Sequence, residues 1–211
     1  MPKLLELFKG TGSVGFVFEA AGWEVVSVDL EPTFAPSLCM SVLDIELDRW
    51  EPGTFEFVWA SPPCTLYSAA RSTGPPPDME QANLLTLHTC NLIKALKPRW
   101  WAIENPATSS IWKLDYMAQL PYALCSYCHY SDWGYRKNTR IANNIINWTP
   151  MLCKYDCKNL EPGTKRHLAT AQRGPASGRE VDRSFSQQEL YRIPHKLIEE
   201  MLQHVRLLAL G

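Results

Sequence analysis

Short apolar runs alternate with longer amphipathic stretches along most of the chain. Four of the runs are brief and rich in branched or aromatic residues, as buried strands are. These runs are Leu4–Leu7, Glu24–Val28, Phe55–Ala60 and Trp100–Ile103. Stretches with helical spacing follow at Phe16–Ala21, Met79–Leu96, Ser109–Met117 and Gln187–Leu210. This alternation predicts one α/β fold, a doubly wound, mostly parallel sheet with helices on both faces.

Two of these helices carry an apolar stripe that predicts a buried face. In the helix Met79–Leu96 the stripe consists of Leu84, Leu87, Cys90, Leu92, Ile93 and Leu96. In the helix Gln187–Leu210 it consists of Leu190, Ile193, Leu197, Met201, Val205 and Leu208. The proline-rich stretch Ser72–Asp78 cannot be regular structure, and it is long enough to act as a lid.

A glycine-rich turn joins the first strand to the first helix. Gly10, Gly12 and Gly15 have the spacing G-x-G-x-x-G, which lets backbone N–H groups approach a ligand at a helix N-terminus. Dinucleotide sites and S-adenosylmethionine sites share this pattern, and Asp29 follows at the distance where a carboxylate meets ribose hydroxyls. Glu6 favours S-adenosylmethionine, because the amino-acid half of that cofactor carries an ammonium group that needs a partner.

The predicted cofactor site extends beyond this turn. Asp44 follows another short strand candidate, and its carboxylate either accepts a hydrogen bond from an adenine amine or only caps a turn. The complete set of predicted cofactor-binding residues is Glu6, Phe8, Gly10, Thr11, Gly12, Ser13, Val14, Asp29, Leu30, Asp44, Ile45 and Pro62.

Cys64 stands just beyond a predicted strand. Pro62 and Pro63 end that strand because proline has no backbone N–H, and they would fix the direction of the thiol. In open α/β sheets, loops beyond the carboxyl ends of strands commonly hold ligands and reacting groups. A thiol is a strong nucleophile once part of it is thiolate. The alternative is a buried structural cysteine.

Several motifs, in this order, resemble those of DNA (cytosine-5)-methyltransferases. Glu6–Gly15, Ser61–Cys64 and Glu104–Pro106 look like the glycine loop, the Pro-Cys nucleophile loop and the Glu-Asn motif of that family. Tyr130–Ile141 is similar to its later arginine-bearing motif. Tyr191–Met201 looks like the helix that returns to the cofactor pocket in compact phage-type and virus-type members.

The resemblance implies transfer of a methyl group from S-adenosylmethionine to carbon 5 of cytosine in a DNA substrate. Cys64 would attack carbon 6 of a flipped base, and Glu104 would act at ring nitrogen 3. Arg136 or Arg140 would hold the ring carbonyl or a phosphate. Two alternatives remain open: a non-catalytic nucleic-acid-binding or regulatory homologue, and a methyltransferase that acts on RNA or on an exocyclic base amine.

The chain departs from the family pattern in three places. The nucleophile loop reads SPPCTLYS where the family usually has FPCQPFS, and no Gln precedes Arg136 in the arginine-bearing motif. Residues 142–186 are too few for a large target-recognition domain. We therefore expect a catalytic core at 1–144, a short Cys/His-containing basic insert at 145–183, and a C-terminal helix at 184–211 that packs back on the core.

The expected insert and the segment before it contain soft metal ligands. Cys128, Cys153, Cys157 and His167 provide the ligand set of one tetrahedral structural zinc. The alternative is that these are ordinary thiols of a reduced protein. Basic residues also concentrate here and are candidates for phosphate contact; they are Lys154, Lys158, Lys165, Arg166, Arg173, Arg179 and Arg183.

Composition adds limits on location and partners. A hydrophobic content of 45% and a net charge of −1 are typical of a globular chain without the overall basic excess of many nucleic-acid binders. The sequence has no signal-peptide pattern and no apolar run near the roughly 18 residues that span a bilayer. We expect a monomer in the cytoplasm or in the interior of a host cell, neither secreted nor bound to a membrane.

Overall fold

The fold is known from a computed structural model, which describes residues 1–67, 78–172 and 184–210. Part of what the sequence predicted falls outside these ranges. The expected lid, apart from Asp78, lies outside the described residues. So do Ser68, at the end of the nucleophile loop, and three of the basic residues of the insert, Arg173, Arg179 and Arg183.

Seven strands of the described chain form one mixed sheet. They are β1 (Lys3–Leu7), β2 (Glu24–Asp29), β3 (Leu38–Cys39), β4 (Phe57–Ala60), β5 (Trp100–Pro106), β6 (Tyr122–Ser126) and β7 (Asn138–Asn143). Their order is β3-β2-β1-β4-β5-β7-β6, and only β7 runs antiparallel to its neighbours β5 and β6. The predicted α/β fold with a mostly parallel, doubly wound sheet is confirmed.

Helices cover both faces of this sheet. They are α1 (Ser13–Ala20), α2 (Met79–Leu96), α3 (Asp115–Ala118), α4 (Gln187–Tyr191) and α5 (His195–Leu210). The core on one face is built with α1 and α5, and the core on the other face with α2 and α3. None of the helices in the described ranges has the length and apolar character needed to cross a membrane.

The prediction for α2 is correct at both ends, whereas its predicted buried stripe is partly wrong. The side chain of Asp78 caps the helix by accepting a hydrogen bond from the N–H of Gln81 at 3.0 Å. Cys90 faces the core as expected, but Leu84 and Leu87 are 50% and 39% exposed. They lie beyond the edge of the face that packs on the sheet.

Two predicted helices are broken in the structure. The stretch predicted as Ser109–Met117 forms a 3₁₀ turn at Ser110–Lys113 followed by the short α3. The stretch predicted as Gln187–Leu210 divides into α4 and α5, because Pro194 has no N–H to continue the helix and disfavours helical geometry at the residue before it. The sequence analysis also did not predict β6 and β7 as strands.

The C-terminal helix α5 packs into the main core. Leu197 and Met201 are fully buried and belong to the same apolar cluster as Val14 and Phe18 of α1 and Phe57 of β4. The predicted C-terminal stripe thus packs into the sheet core from Ile193 onward, whereas Leu190 packs in a separate cluster with Tyr135 and Phe185. The division of the chain into three parts remains a prediction.

We expect Leu197→Ala to lower the free energy of unfolding of the whole chain by about 2–5 kcal/mol, because the leucine is fully buried and its removal leaves a cavity. Leu207→Ala is the matched control, since Leu207 lies on the same helix and is 64% exposed, and it should change stability by less than about 0.5 kcal/mol. Urea unfolding followed by circular dichroism measures both. An unchanged main transition in Leu197→Ala would mean that α5 is a separate appendage.

Candidate active site

One cavity of ≈ 340 Å³ opens at the carboxyl ends of β1, β4 and β5. It lies where the strand order reverses between β1 and β4, which is the usual ligand position in open α/β sheets. Eleven of the predicted cofactor and catalytic residues line it: Glu6, Phe8, Gly10, Thr11, Ser13, Val14, Asp29, Leu30, Pro62, Cys64 and Glu104. The described structure therefore brings the glycine turn and both proposed reacting groups to one space.

The glycine turn has an unusual backbone. Phe8, Gly10 and Gly12 all have positive φ, at 61°, 49° and 69°. For a bulky residue such as Phe8 this conformation costs about 1–2 kcal/mol, and it occurs here at the edge of the cavity. The Asp29 carboxylate stabilises the turn, because its Oδ2 accepts a hydrogen bond from the N–H of Gly10 at 2.8 Å. Asp29 therefore shapes the turn as well as lining the cavity.

Glu6 is a buried acid beside this turn. Its side chain is 2% exposed, and its Oε2 has no hydrogen-bond partner within the described residues. Burial raises the pKa of the Glu6 carboxyl from its ordinary value to about 7. A Cβ at Gly15 would lie 2.6 Å from Glu6 Oε2, so the position next to this oxygen requires glycine. The backbone N–H groups of Gly15 and Val14 oppose this rise in pKa only in part. Because Glu6 also lines the cavity, its carboxyl is suited to hold a cationic group there.

The nucleophile loop is tied to the rest of the site at both ends. Asn105, near the end of β5, donates its Nδ2–H to the carbonyl oxygen of Pro62 at 2.8 Å. Beyond Cys64, the carbonyl oxygen of Tyr67 accepts hydrogen bonds from the backbone N–H and the hydroxyl of Ser110, at 3.2 and 3.0 Å. Cys64 itself begins a 3₁₀ turn and is partly exposed toward the cavity. Its position is thus fixed by the adjacent strand β5.

Glu104 is held by a buried tyrosine. The Glu104 carboxyl is 7% exposed, and its Oε1 accepts a hydrogen bond from the hydroxyl of Tyr127 at 3.0 Å. Tyr127 is itself fully buried. One carboxyl oxygen is therefore fixed, and the other is left for a group in the cavity.

Lys137 is the cation that lines the cavity near Cys64 and Glu104. Burial raises the pKa of the Cys64 thiol, the positive charge of Lys137 opposes that rise, and the charge of Glu104 adds to it. The Lys137 Nζ donates to the carbonyl oxygen of Leu190 at 3.1 Å and lies 4.9 Å from the centroid of the Tyr127 ring. The sequence analysis considered only arginines for this position.

Neither of the two predicted catalytic arginines lines the cavity in the described structure. Arg136 turns away, donating its Nε–H to Asn138 Oδ1 at 2.9 Å, with its guanidinium 5.1 Å from the Tyr155 ring. Arg140 lies on the opposite side of β7 from Ile141, and its guanidinium stacks 3.8 Å from the Tyr122 ring. A role for either arginine at the ring carbonyl or at a phosphate therefore stays a prediction, and Lys137 is the cation beside Cys64 and Glu104 on the cavity wall.

Three predicted cofactor residues also lie off the cavity wall. Gly12 precedes α1 with its left-handed backbone, Asp44 is exposed in the 3₁₀ turn Val42–Asp44, and Ile45 belongs to the core. The wall near this turn is formed by Ser41 and Val42 instead.

Other lining residues were not predicted. They are Lys9, Phe34, Ser41, Val42, Ser61, Pro63, Leu85, Pro106, Lys137, Tyr191 and Ile193. A signal existed for seven of them, because they lie within the motifs named from the sequence: Lys9, Ser61, Pro63, Pro106, Lys137, Tyr191 and Ile193. The N–H of Ile193 donates to Ser13 Oγ at 3.3 Å, which joins the C-terminal segment to the start of α1.

A second group of chemically reactive side chains lies outside this cavity. The Sγ atoms of Cys128, Cys153 and Cys157 and a ring nitrogen of His167 all lie within 4.8 Å of one another, and all four residues are buried. This is the set that the sequence predicted as metal ligands.

Comparison with known proteins identifies the family. No family model matches the chain. A protein of Frog virus 3 (isolate Goorha) named "Probable DNA (cytosine-5)-methyltransferase" is 31% identical over 224 aligned positions, which cover 95% of this chain and 98% of that protein.

Solved structures agree on the fold. A protein of E. coli, described as a DNA modification methyltransferase encoded within a prophage, matches 68% of this chain with a TM-score of 0.50 and 17% identity. The S. pombe Dnmt2 methyltransferase matches 71% with a TM-score of 0.51 and 14% identity. The matched regions span 46% and 52% of those two chains, about half of each. These structures show the fold, and the viral relative, which is matched along nearly its whole length, shows that the chain belongs to the DNA (cytosine-5)-methyltransferase family.

Proposed function

We propose that the chain transfers a methyl group from S-adenosylmethionine to carbon 5 of cytosine in DNA, with Cys64 as covalent nucleophile. One observation carries this proposal: a single cavity is lined by a thiol on a proline-fixed turn, a buried carboxyl at Glu104 and a glycine turn beside Glu6. The name of the viral relative supports the choice of DNA and of carbon 5.

The part of the cavity beside the glycine turn, the cofactor half, suits S-adenosylmethionine in charge. The whole cavity has a volume of ≈ 340 Å³, which is within the usual range for small-molecule sites. The Glu6 carboxylate, which lines the cavity, would accept the ammonium group of the cofactor, and the Asp29 carboxylate would accept from a ribose hydroxyl. When bound, S-adenosylmethionine supplies an electrophilic methyl group.

The base half of the cavity provides the groups for covalent catalysis. Carbon 5 of cytosine is a poor nucleophile until carbon 6 has been attacked. After the Cys64 proton leaves to solvent, the sulfur would form a bond to carbon 6, and the electron pair displaced in the ring would make carbon 5 nucleophilic. The Glu104 oxygen not held by Tyr127 would donate a proton to ring nitrogen 3 and so neutralise charge that enters the ring.

Product release reverses the covalent step. Once carbon 5 carries the new methyl group, its original proton leaves to solvent. The electron pair of that carbon–hydrogen bond forms the double bond between carbons 5 and 6, while the pair of the bond between sulfur and carbon 6 returns to the sulfur and regenerates Cys64 as thiolate. Nitrogen 3 returns its proton to Glu104, and S-adenosylhomocysteine leaves with the methylated base. A base inside duplex DNA cannot reach a cavity of this kind, so the target cytosine must flip out of the stack.

Lys137 is the electrostatic partner of this chemistry in our proposal. Its positive charge already lowers the pKa of the Cys64 thiol against the effect of burial. The same charge would stabilise electron density pushed toward the ring carbonyl during the attack.

We expect Cys64→Ser to reduce methyl transfer to DNA by roughly 10⁴-fold or more, because the nucleophile is lost. Binding of S-adenosylhomocysteine should stay within about threefold, since Cys64 lies in the base half and the glycine turn is unchanged. Labelled cofactor with duplex DNA, single-stranded DNA and RNA measures the transfer. Cys39→Ser is the control, because this thiol is exposed and does not line the cavity.

Other outcomes of this assay lead to different conclusions. Transfer that survives in Cys64→Ser would favour methylation of an exocyclic amine over covalent catalysis. Transfer by the unmodified chain to RNA but not to DNA would replace the proposed substrate while leaving the mechanism intact.

We expect cofactor binding to release a proton near pH 7. Glu6 has its pKa raised to about 7 in the free protein, so a bound ammonium group would favour its charged form and lower that pKa. Affinity should therefore fall as the pH decreases below 7. Calorimetry with S-adenosylhomocysteine in buffers of different ionisation enthalpy measures the released proton. Glu6→Gln should bind more weakly and release none; equal proton release by Glu6→Gln would assign the effect to another group.

We expect Lys137→Ala to lower the rate of methyl transfer on the order of 10²–10³-fold, the range for removal of one electrostatic contact. The pH at which the rate rises should also move upward, because the cation that lowers the Cys64 pKa is gone. Lys137→Arg should recover part of the rate. Arg140→Ala, measured per folded protein, should lose less than about tenfold. If Arg140→Ala lowered the rate more than Lys137→Ala does, the electrostatic role would belong to Arg140.

A further inference from the structure

The buried group Cys128, Cys153, Cys157 and His167 has the spacing of a metal site. The Sγ atoms of Cys153 and Cys157 lie 3.6 and 3.3 Å from His167 Nε2. A tetrahedral zinc bound at about 2.3 Å by sulfur and about 2.0–2.1 Å by nitrogen holds such atoms about 3.6 Å apart. These two pairs are therefore already at the spacing of zinc ligands, and all four ligand atoms lie within 4.8 Å of one another.

Little apolar packing surrounds the three cysteines. Between β7 and residue 172 the chain forms no helix or strand, and isolated bridges join only Leu160 to His167 and Ala169 to Tyr135. The apolar cluster at its centre consists of the three cysteines and the partly buried Leu160. Such a small apolar cluster rarely orders a segment by itself, and natural small modules add a metal or disulfides.

Hydrogen bonds fix the backbone that carries Cys153. Its N–H donates to Ser126 Oγ at 3.0 Å, and the N–H of Lys154 donates to Asp156 Oδ1 at 3.0 Å. Tyr155 has a φ of 65°, a left-handed conformation that turns the chain between Cys153 and Cys157. Contacts of this kind around a ligand help to orient it toward a metal.

We propose that Cys128, Cys153, Cys157 and His167 bind one Zn²⁺ ion in a closed structural site, and that this ion fixes the wall of the active site. Three thiols and one imidazole in tetrahedral range match zinc better than the harder cations that prefer oxygen ligands. With four protein ligands the ion has no open position for a substrate, so its role is structural.

The link to the active site runs through the neighbours of Cys128. Tyr127, the residue before Cys128, donates its hydroxyl to Glu104 Oε1, and its N–H donates to the carbonyl oxygen of Lys137 at 3.1 Å. The side chain of Asn159 connects the segment that carries Cys153, Cys157 and His167 to the segment that carries Cys128. It donates to the carbonyl oxygen of Cys128 at 2.7 Å and accepts from the N–H of Gly134 at 3.2 Å. An ion that ties Cys128 to residues 153–167 would therefore immobilise both Tyr127 and Lys137. This second part rests on the proposed function.

Metal content of the full chain, purified without chelator, tests the site itself. Elemental analysis should find about one zinc per chain, and Cys157→Ala should lower it at least tenfold. Cys39→Ala, the control for loss of one thiol, should keep the full content. His167→Cys should fold and retain the ion with four sulfur ligands, and its cobalt-substituted form should show stronger sulfur-to-metal charge-transfer absorption. A folded, metal-free chain, or a disulfide among the three cysteines, would overturn the proposal.

A second possible ligand set is distinguished by the same measurement. His129 Nε2 and Asp156 Oδ1 lie 3.0 Å apart and could hold an ion together with Cys153. In our assignment they form an exposed ion pair, so His129→Ala keeps the zinc. Loss of zinc in His129→Ala with retention in His167→Ala would contradict the ligand assignment.

Hydrogen exchange before and after chelation tests the link to the active site. Removal of zinc should reduce amide protection in residues 127–137 as well as in 151–170, while protection of the glycine turn and affinity for S-adenosylhomocysteine stay within about threefold. Neither readout depends on methyl transfer, so failure of the proposed function would leave them unchanged. Loss of protection confined to 151–170 would show that the ion orders only its own loop.

Discussion

Parallel pairing of β1, β4 and β5 is the constraint on which the site depends. Because their carboxyl ends meet at one edge of the sheet, the glycine turn, the Cys64 loop and Glu104 come together although they are far apart in sequence. The hydrogen bond from Asn105 to the carbonyl oxygen of Pro62 then fixes two of these loops to each other at 2.8 Å. A shift of β4 against β5 would separate the thiol from the acid.

Residues from the later part of the chain complete the wall of the cavity that the parallel strands form. Tyr127 and Lys137 come from the antiparallel end of the sheet, and Tyr191 and Ile193 return from the C-terminal segment to the cavity. The proposed cofactor half of the cavity is thus built mainly by the first strands, and the proposed base half depends on Glu104 and on residues that follow it in the chain. A structural ion at Cys128 would stabilise the second half without touching the first.

Most residues that the sequence predicted at strand ends do line the cavity, because the carboxyl ends of parallel strands meet at one edge of the sheet. It also predicted the four cysteine and histidine residues that the structure brings together, since soft ligands are few in this chain. Lys137 could not be found in this way, because its direction depends on where β7 begins and on its contact with Leu190. The break at Pro194 was present in the sequence, but the continuous apolar stripe favoured one helix.

Covalent attack by Cys64 is the central claim, and trapping the adduct tests it most directly. Duplex DNA in which the target cytosine carries fluorine at carbon 5 cannot lose the group that must leave before the sulfur is released. Incubation with S-adenosylmethionine, followed by denaturing mass spectrometry and peptide mapping, should find a methylated nucleotide attached to Cys64. An adduct on a different cysteine, or methylated product with no adduct at all, would contradict the account.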